Sequence, residues 1–276
     1  MVATRWRPTF RVGDRHVIGL SDGAFTMTEG FMNRPGFQEQ LADERGVAEL
    51  PVACFLVPGE PTVLLDAGLG PFFFDNLRGG LLLEELGTVG VRPADVDVIA
   101  VSHLHLDHDG WLATPGGEAV FPNATIHVGR ADYDHFVTHG DDVPRRLRMA
   151  PYLRQALAER LDAGRLVLLD DATEVAPGVV ALPAPGHTPG HMVFAVADAG
   201  ERLLVLGDAM YCAAQLTDLD LAAAHDVDPA LARRTRESIA REMDAHGTSG
   251  VGCHFPGLHA ARVLAGEAVT VTEAPA

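Results

Sequence analysis

Four side chains of the kinds that bind metal ions fall within six consecutive residues of this 276-residue chain. They are His103, His105, Asp107 and His108, and they directly follow the apolar run 97–101. Imidazole nitrogens suit zinc, and a carboxylate adds a hard oxygen ligand. Because a strand that ends in a sharp turn can point alternate side chains at one spot, this spacing predicts a metal site. A polar loop that happens to be rich in histidine is the alternative, but this pattern arises by chance in only about two chains per thousand of this composition.

Three further candidate ligands follow, each in a constrained loop near the end of an apolar run. His187 lies in a loop rich in glycine and proline (185–191), Asp208 follows the run 203–206, and His254 lies in the loop 252–257. Turns of this composition fix the backbone, so that a ligand is presented rigidly. Each residue alone is weak support, since a single loop histidine is more often solvated or part of the core. Together they predict that the metal site extends beyond the first run.

With these elements the chain resembles the metallo-β-lactamase superfamily of hydrolases. The matching elements are Leu65-Asp66-Ala67-Gly68, the run 103–108, Gly186-His187, Gly207-Asp208 and His254, which together span roughly residues 15–260. The resemblance implies an α/β fold, the αβ/βα four-layer sandwich, in which two mixed β-sheets are flanked by helices and the metals lie at the edge between the sheets. We expect one domain over residues 1–276, with its core at 15–260 and a frayed tail at 267–276.

The resemblance also implies a role for each candidate ligand. One metal would be bound by His103, His105 and His187, and the second by Asp107, His108 and His254, with Asp208 bridging both. Asp66 would lie behind the ligands and fix the tautomer of one imidazole, unless it is an ordinary aspartate at a strand end. We expect two divalent ions, zinc first, with manganese, cobalt and iron as alternatives.

The residue types separate this chain from other branches of the superfamily. His105 stands where the diiron redox members carry glutamate, and Asp208 stands where one type of β-lactamase carries cysteine. Tyr211 follows Asp208 by three residues, as a tyrosine does in N-acyl homoserine lactonases of this superfamily, where it donates a hydrogen bond to the substrate. A tyrosine of the hydrophobic core is the alternative for Tyr211.

The implied activity is hydrolysis of a lactone or ester by a hydroxide that bridges two metal ions. Two ions about 3.5–4 Å apart can bring the pKa of a bound water to roughly 7, so no separate general base is needed. Asp107, Asp208 and Tyr211 are the expected catalytic residues, and Tyr211 would stabilise the developing oxyanion. A lactonase is therefore our first hypothesis. A phosphotriesterase that resembles methyl parathion hydrolases is the second, and a non-catalytic metal-binding protein on the same fold is the third.

The composition of the chain limits the classes of molecule that it is expected to bind. The net charge of −17 disfavours nucleic acid and anionic membrane surfaces. The start of the chain has no apolar stretch typical of a signal peptide, and the three cysteines are scattered without a CxxC pair. We therefore expect a cytoplasmic protein that acts on a small lipophilic ester or lactone. Members of the branch that holds the N-acyl homoserine lactonases and the methyl parathion hydrolases often dimerise, so a homodimer stays open.

The substrate pocket could be lined by Phe31, Met32, Phe72, Phe73, Phe74 and Trp111, each of which could equally belong to the core.

Apolar runs and turn residues indicate the elements that position these side chains. A helix is predicted around Leu153, Leu157 and Leu161, ending at Gly164, and a second from Asp228-Pro229 to near Gly247. Shorter helices are expected near 37–45 and 81–86. A turn is expected at 21–23, and a hairpin should join 52–57 to 62–66. Strands are predicted at 16–20, 52–57, 62–66, 97–101, 124–128, 165–169, 179–182, 192–196 and 202–206.

Overall fold

Two β-sheets packed face to face form the centre of the molecule. The computed structural model describes residues 5–74, 76–264 and 266–271, with the main chain only at Phe74, Arg146 and Val271. The strands of the first sheet are β1 (Thr9–Val12), β2 (Arg15–Thr26), β3 (Glu49–Val57), β4 (Val63–Leu65), β5 (Phe73–Phe74), β6 (Leu77–Arg78), β7 (Val98–Ala100), β8 (Thr125–Gly129) and β9 (Leu166–Leu169). Those of the second are β10 (Thr173–Ala176), β11 (Val179–Pro183), β12 (Met192–Asp198), β13 (Glu201–Val205), β14 (Ser249–Val251), β15 (Ala260–Leu264) and β16 (Glu267–Val271). In the described residues the first sheet has the strand order β5-β6-β2-β3-β4-β7-β8-β9, with β1 paired to β2, and the second runs in order from β10 to β16.

Helices cover the outer faces of both sheets. The longest is α6 (Pro229–His246), whose first turn begins with a proline. The Asp228 side chain caps this helix by accepting the main-chain N–H of Leu231 at 2.9 Å. Gly247 ends α6 in the left-handed conformation that favours glycine. The α-helices are α1 (Phe37–Gln40), α2 (Leu82–Thr88), α3 (Leu106–Asp109), α4 (Arg130–Asp132), α5 (Pro151–Asp162) and α6 (Pro229–His246), and a π-helical segment spans Tyr133–Thr138.

Alternation along the strands divides the core into layers. In β3, Phe55 packs between the two sheets, whereas Leu56 packs under the helices on the outer face of the first sheet. In β13, Val205 points between the sheets and Leu204 points toward α6. Burying a side chain of this size contributes about 1.5–3 kcal/mol. The result is the predicted four-layer order of helix, sheet, sheet and helix.

Parallel strand pairs decide where the metal ligands meet. β4 and β7 run parallel in the first sheet, and β13 and β14 run parallel in the second. The ends of parallel strands lie at the same edge of a sheet, so the loops after all four strands converge at one edge of the sandwich. These loops contain Asp66, the run 103–108, Asp208 and His254.

The structure differs from the expected elements at several places. Residues 21–23 form no turn: β2 continues through them, and its pairing with β3 shifts register between Ser21 and Gly23, as at a β-bulge. Residues 267–271 are not frayed, because they pair with β15 as strand β16, whereas 272–276 lie outside the described residues. The helix predicted over 37–45 is the short α1. No helix in the described ranges is long and apolar enough to cross a membrane.

Candidate metal centre

Three imidazoles converge at the junction of the two sheets and form the first ligand set. His105 Nδ1 lies 3.0 Å from His103 Nε2 and 3.1 Å from His187 Nε2. Nitrogens bound tetrahedrally to zinc at about 2.0–2.1 Å stand roughly 3.3 Å apart, so this spacing matches three ligands of one ion. His103 and His187 are buried, and the ring nitrogens of all three residues face a common point.

Asp107, His108 and His254 form the second ligand set. His254 Nε2 lies 3.4 Å from an Asp107 oxygen, and His108 Nε2 lies 3.9 Å from the other. Both imidazoles are buried, while the Asp107 side chain is 21% exposed. Asp107 is therefore the member of this set that faces the mouth of the site.

Asp208 stands between the two ligand sets and faces both. Its Oδ2 lies 3.8 Å from His103 Nε2 and 3.6 Å from His187 Nε2. Its Oδ1 lies 3.2 Å from His108 Nε2 and 3.1 Å from His254 Nε2. One carboxylate thus offers one oxygen to each set, which is the arrangement expected of a bridging ligand.

Charge in the cluster is balanced by protons that a metal would displace. Burial lowers the pKa of His103 well below its usual value and that of His105 to about 3, so both are neutral with a free lone pair. Burial also lowers the pKa of His254, but the neighbouring Asp208 and Asp107 carboxylates outweigh it and raise this pKa to about 10. A divalent ion bound by His254 would replace the proton on this imidazole, since metal ligands must be deprotonated.

Several buried atoms of the cluster fit a bound cation. His108 Nε2 and His254 Nε2 face Asp208 Oδ1 at 3.2 and 3.1 Å, but none of these atoms forms a hydrogen bond of normal geometry among the described residues. Buried polar atoms without partners are costly in a folded protein. Nitrogen-rich ligand sets with one shared carboxylate are typical of zinc and similar transition metals. The residues present therefore fit two divalent metal ions.

Asp66 lies directly behind the candidate ligands. Its Oδ2 accepts a hydrogen bond from His108 Nδ1 at 3.0 Å, which directs the other ring nitrogen toward Asp208. The Asp66 carboxylate is held by the Ser102 main-chain N–H at 2.6 Å, the Ser102 hydroxyl at 2.9 Å and the Cys253 thiol at 3.2 Å. Ser102 Oγ also lies 3.0 Å from His103 Nδ1, so Asp66 and Ser102 serve both ligand sets.

Two other ligands are oriented by single contacts. His254 Nδ1 donates to the Pro51 carbonyl at 2.6 Å. His191 Nε2 accepts the main-chain N–H of Asp208 at 3.1 Å. Both contacts fix a ligand through an atom that does not face the cluster.

The His187 loop is fixed by Asp132, which the sequence prediction missed. Asp132 accepts hydrogen bonds from Leu104 N at 3.0 Å, Thr188 Oγ1 at 2.9 Å and Gly190 N at 2.6 Å. A Cβ at Gly190 would lie 2.3 Å from Asp132 N, so this close approach requires glycine. Asp132 therefore ties the first run of ligands to the His187 loop.

Two more buried acids escaped the sequence prediction. Asp226 accepts from His187 Nδ1 at 3.0 Å and pairs with Arg236 at 3.1 Å. Asp22 accepts four main-chain N–H groups and Trp111 Nε1, and so gathers the loops around 69–70 and 80–82 beside the site. The run 21–23 was expected to be only a turn, and the context of Asp226, HDVDP, did not distinguish it from other loop aspartates.

Tyr211 lies inside the site rather than in a distant part of the core. Its hydroxyl donates to Asp208 Oδ2 at 2.6 Å, and its ring stacks on His254 with centroids 5.2 Å apart. Burial and the Asp208 carboxylate raise the pKa of Tyr211 well above its usual value. The phenol is therefore protonated at neutral pH and able to donate a hydrogen bond.

Aromatic rings cover the cluster on the side of Tyr211. The ring centroid of Phe31 lies 5.0 Å from that of Tyr211 and 5.3 Å from that of Phe25, and Phe25 lies 4.9 Å from the imidazole of His254. Of the other expected pocket residues, Met32 is buried in the same cluster and Phe73 is 76% exposed. Trp111 is engaged by Asp22, and the side chain of Phe74 lies outside the described residues.

Two loops, which we call the covering loops (27–36 and 217–228), are joined to each other above this side of the site. Met32 and Ala223 form an antiparallel bridge. Asn33 bonds to Ala222 through its main-chain N–H at 2.9 Å and its side-chain oxygen at 3.0 Å, and its amide donates to the Asp220 carbonyl at 2.8 Å. The first loop carries Phe31, which contacts Tyr211, and the second carries Asp226, which contacts His187, so the covering loops reach both the Tyr211 side and the back of the site.

Comparisons with known proteins agree with this geometry. The family model described as the metallo-beta-lactamase superfamily matches residues 47–245. An N-acyl homoserine lactonase of Bacillus sp. is 30% identical over 216 residues, which cover 70% of this chain and 78% of the relative. The solved structure of AidC, described as a dizinc quorum-quenching lactonase in complex with a product, superposes with a TM-score of 0.81 at 24% identity and covers 98% of both chains. The hydrolase AbOPH, described as a member of the beta lactamase superfamily, gives a TM-score of 0.81 at 25% identity and the same coverage.

The family match extends over the strands, loops and helices that carry six of the seven candidate ligands, and the remaining one, His254, joins them in space. The two convergent ligand sets fit two divalent metal ions. This chain belongs to the metallo-β-lactamase superfamily and is a metal-dependent hydrolase.

Proposed function

We propose that this hydrolase is a lactonase that opens the ring of N-acyl homoserine lactones. The observation that carries the proposal is the phenol of Tyr211, which lies 2.6 Å from the carboxylate facing both ligand sets. An oxyanion donor is thereby fixed beside the place where a carbonyl group would react. The names of the Bacillus relative and of AidC support the same class of substrate.

The metal assignments are part of this proposal. We infer that His103, His105 and His187 bind one zinc ion, that Asp107, His108 and His254 bind the other, and that Asp208 bridges them. When bound, the ions supply Lewis-acid activation of both the lactone carbonyl and the attacking water. Asp66 and Ser102 orient the imidazoles from behind, so that the ligand atoms need little rearrangement to bind.

Protein side chains supply the remaining steps. Tyr211 donates a hydrogen bond from its hydroxyl to the carbonyl oxygen of the substrate in place of Asp208, and thereby stabilises the negative charge that develops there. Asp107 is the partly exposed carboxylate of the cluster, so it is placed to accept a proton from the attacking water and to pass it to the alkoxide that leaves when the ring opens. Phe31 and Phe25 exclude water from this side and offer an apolar wall to the acyl chain.

The test is a substrate panel with zinc-reconstituted protein. We expect ring opening of N-hexanoyl homoserine lactone, followed as release of one acid equivalent per lactone, to exceed turnover of an aryl ester, a β-lactam and a phosphotriester in kcat/KM. Asp208→Ala should abolish it. A higher kcat/KM for the phosphotriester would replace this proposal with the phosphotriesterase hypothesis, and no turnover of any substrate by a protein that holds two metals would favour a non-catalytic role.

We further propose that the protein is cytoplasmic and acts on a small molecule. Cys54, Cys212 and Cys253 are free, buried thiols, which agrees with a reducing compartment such as the cytoplasm. The net charge of −17 supports a small-molecule substrate rather than nucleic acid or an anionic membrane. A homodimer is the assembly we propose to test, by light scattering coupled to gel filtration.

A further inference from the structure

Asp226 and Arg236 form a buried ion pair directly behind His187. Asp226 Oδ1 accepts from His187 Nδ1 at 3.0 Å, and Asp226 Oδ2 lies 3.1 Å from Arg236 Nη1. The two side chains are 1% and 2% exposed. A line of three polar groups, shielded from solvent, therefore runs from helix α6 to the first ligand set.

The fold gains little from this ion pair. Desolvating two charges costs about as much as their attraction returns, so apolar side chains of similar size would stabilise this part of α6 at least as well. Arg236 lies among the apolar residues Ala232, Ile239 and Met243, which already bury this face of the helix. Its Nε and Nη2 have no hydrogen-bond partner among the described residues, which adds to the cost. What the pair does provide is a fixed carboxylate at the back of a metal ligand.

The two ligand sets are supported in different ways. Behind His108 stands Asp66, whose described contacts are a hydroxyl, a main-chain N–H, a thiol and imidazole rather than arginine or lysine. Behind His187 stands Asp226, whose charge is balanced by Arg236. The first set consists of three imidazoles, and the ion pair behind its His187 carries no net charge. The second set contains Asp107, and the carboxylate behind its His108 has no arginine beside it among the described residues. A change at Asp226 or Arg236 should therefore be felt by one half of the centre.

We propose that Asp226 and Arg236 are positioning residues for the metal ion of the first ligand set. Asp226 holds His187 in the tautomer whose Nε2 is free to bind the metal. Arg236 fixes the orientation of the Asp226 carboxylate and balances its charge. This inference rests on the ligand set given under the proposed function, but it does not depend on the lactone substrate.

The main chain around His187 is held independently of this pair, which makes the inference testable. Val227 N donates to the His187 carbonyl at 3.0 Å, and Asp228 N donates to the Gly186 carbonyl at 2.9 Å. Thr235 Oγ1 donates to the Pro185 carbonyl at 2.6 Å. A substitution that changes only the side chain of Asp226 therefore leaves the loop anchored to α6.

The experiment is a titration of the metal-free, full-length protein with Zn²⁺ and Co²⁺ in the absence of substrate. We expect the unsubstituted protein to bind two ions. Asp226→Asn and Arg236→Met should bind one ion with unchanged affinity and the other 10- to 100-fold more weakly, with an altered Co²⁺ absorption band. Arg236→Lys should restore part of the loss. Arg233→Met is the matched control, because Arg233 lies on the same helix in an exposed ion pair with Asp220.

Two results would overturn the inference. One is binding of both ions by Asp226→Asn and Arg236→Met with unchanged affinity and an unchanged Co²⁺ spectrum. The other is an equal weakening of both ions together with a loss of helical circular dichroism, which would indicate a merely structural role. If Arg236→Met does not fold, Asp226→Asn and Arg236→Lys decide the question. If the substitutions weaken the binding of one ion as expected but the unsubstituted protein hydrolyses no lactone, only the proposed function is contradicted.

Discussion

At the scale of single residues, the centre depends on acids whose neighbours give them different tasks. Asp208 faces both ligand sets, Asp66 and Asp226 stand behind one imidazole each, and Asp132 joins two loops. The same side chain serves as ligand, orienting group or structural link according to which donors surround it. Single substitutions at these acids, and at the phenol beside Asp208, should therefore have separable effects.

Replacing Tyr211 by phenylalanine tests the oxyanion donor. The ring can keep its stacking on His254, whereas the hydroxyl that donates to Asp208, our proposed oxyanion donor, is lost. We expect kcat for the lactone to fall by about 10-fold or more, with two metals still bound. Stopped-flow or pH-indicator kinetics combined with metal analysis would check this. Tyr133→Phe, at a buried tyrosine of the first sheet's outer core, should leave kcat unchanged; an unchanged kcat for Tyr211→Phe itself would reject the role.

Asp132 should make folding depend on pH. Burial raises the pKa of Asp132 to about 6, so the folded state binds a proton more tightly here than the unfolded chain does. Stability from this group is complete below about pH 4 and is lost as the pH rises to about 6. Relative to Asp132→Asn, which cannot titrate, the metal-free protein should lose up to about 3 kcal/mol over this window, at 1.4 kcal/mol per pKa unit. Urea unfolding at several pH values measures it, and parallel curves for the two proteins would contradict it.

At the scale of elements, parallel strand pairs and joined loops assemble the site. The ends of β4 and β7 deliver Asp66 and the first run of ligands to the same edge at which β13 and β14 deliver Asp208 and His254. The covering loops then place Phe31 against Tyr211. These loops contain no long regular element, so their order depends on a few contacts between them.

Asn33→Ala should loosen the covering loops without unfolding the protein. The substitution removes two side-chain hydrogen bonds, to Asp220 and Ala222, each of which contributes about 0.5–1.5 kcal/mol. We expect amide exchange in 27–36 and 217–228 to accelerate about 10-fold, with the sheets unaffected. Mass-spectrometric hydrogen exchange measures this. Asn123→Ala, at an exposed asparagine with one described side-chain bond, to Ala94, is the control and should change neither loop; equal exchange in both variants would show that Asn33 does not join the loops.

At the scale of the whole molecule, the metal centre lies where the two halves of the sandwich meet. His103, Asp107 and His108 follow the first sheet, and His187, Asp208 and His254 belong to loops of the second. Bound metal ions would therefore link the two sheets at this edge. Binding to a folded but not to an unfolded chain stabilises the fold.

Removing the metals should lower thermal stability as well as activity. Without a cation, Asp208 Oδ1 and the facing Nε2 atoms of His108 and His254 remain buried with no hydrogen bond of normal geometry among the described residues. We expect chelation to lower Tm by about 15 °C or more, since each of two ions at about 1,000 times its Kd contributes about 4 kcal/mol and each kcal/mol shifts Tm by about 2 °C in a chain of this size. Scanning calorimetry measures the change. Zn²⁺ should restore Tm and Mg²⁺ should not, because Mg²⁺ prefers oxygen ligands; a Tm that chelation does not change would contradict a stabilising metal link.

What the sequence determined by itself was the fold family and the set of candidate ligands. Ligands in the run 103–108 are close in sequence, so their spacing alone indicates a metal site, and the strands β3, β8, β12 and β13 follow from continuous apolar runs. Strands β14 to β16 escaped prediction because they are short or rich in alanine and glycine. The register shift in β2 replaced an expected turn because Ser21 and Asp22 are buried beside the site.

Apart from Asp66, to which the family resemblance pointed, the acids that support those ligands were identified only by the tertiary structure. Asp226 follows His187 by 39 residues, and Phe31 and Tyr211 are farther apart still. A contact between distant residues leaves no local spacing to detect, and aspartates in loops are common whether or not they bind an imidazole. The chemistry of the ligands is local and can be inferred from the sequence, whereas the contacts that orient them arise only when the two sheets pack together.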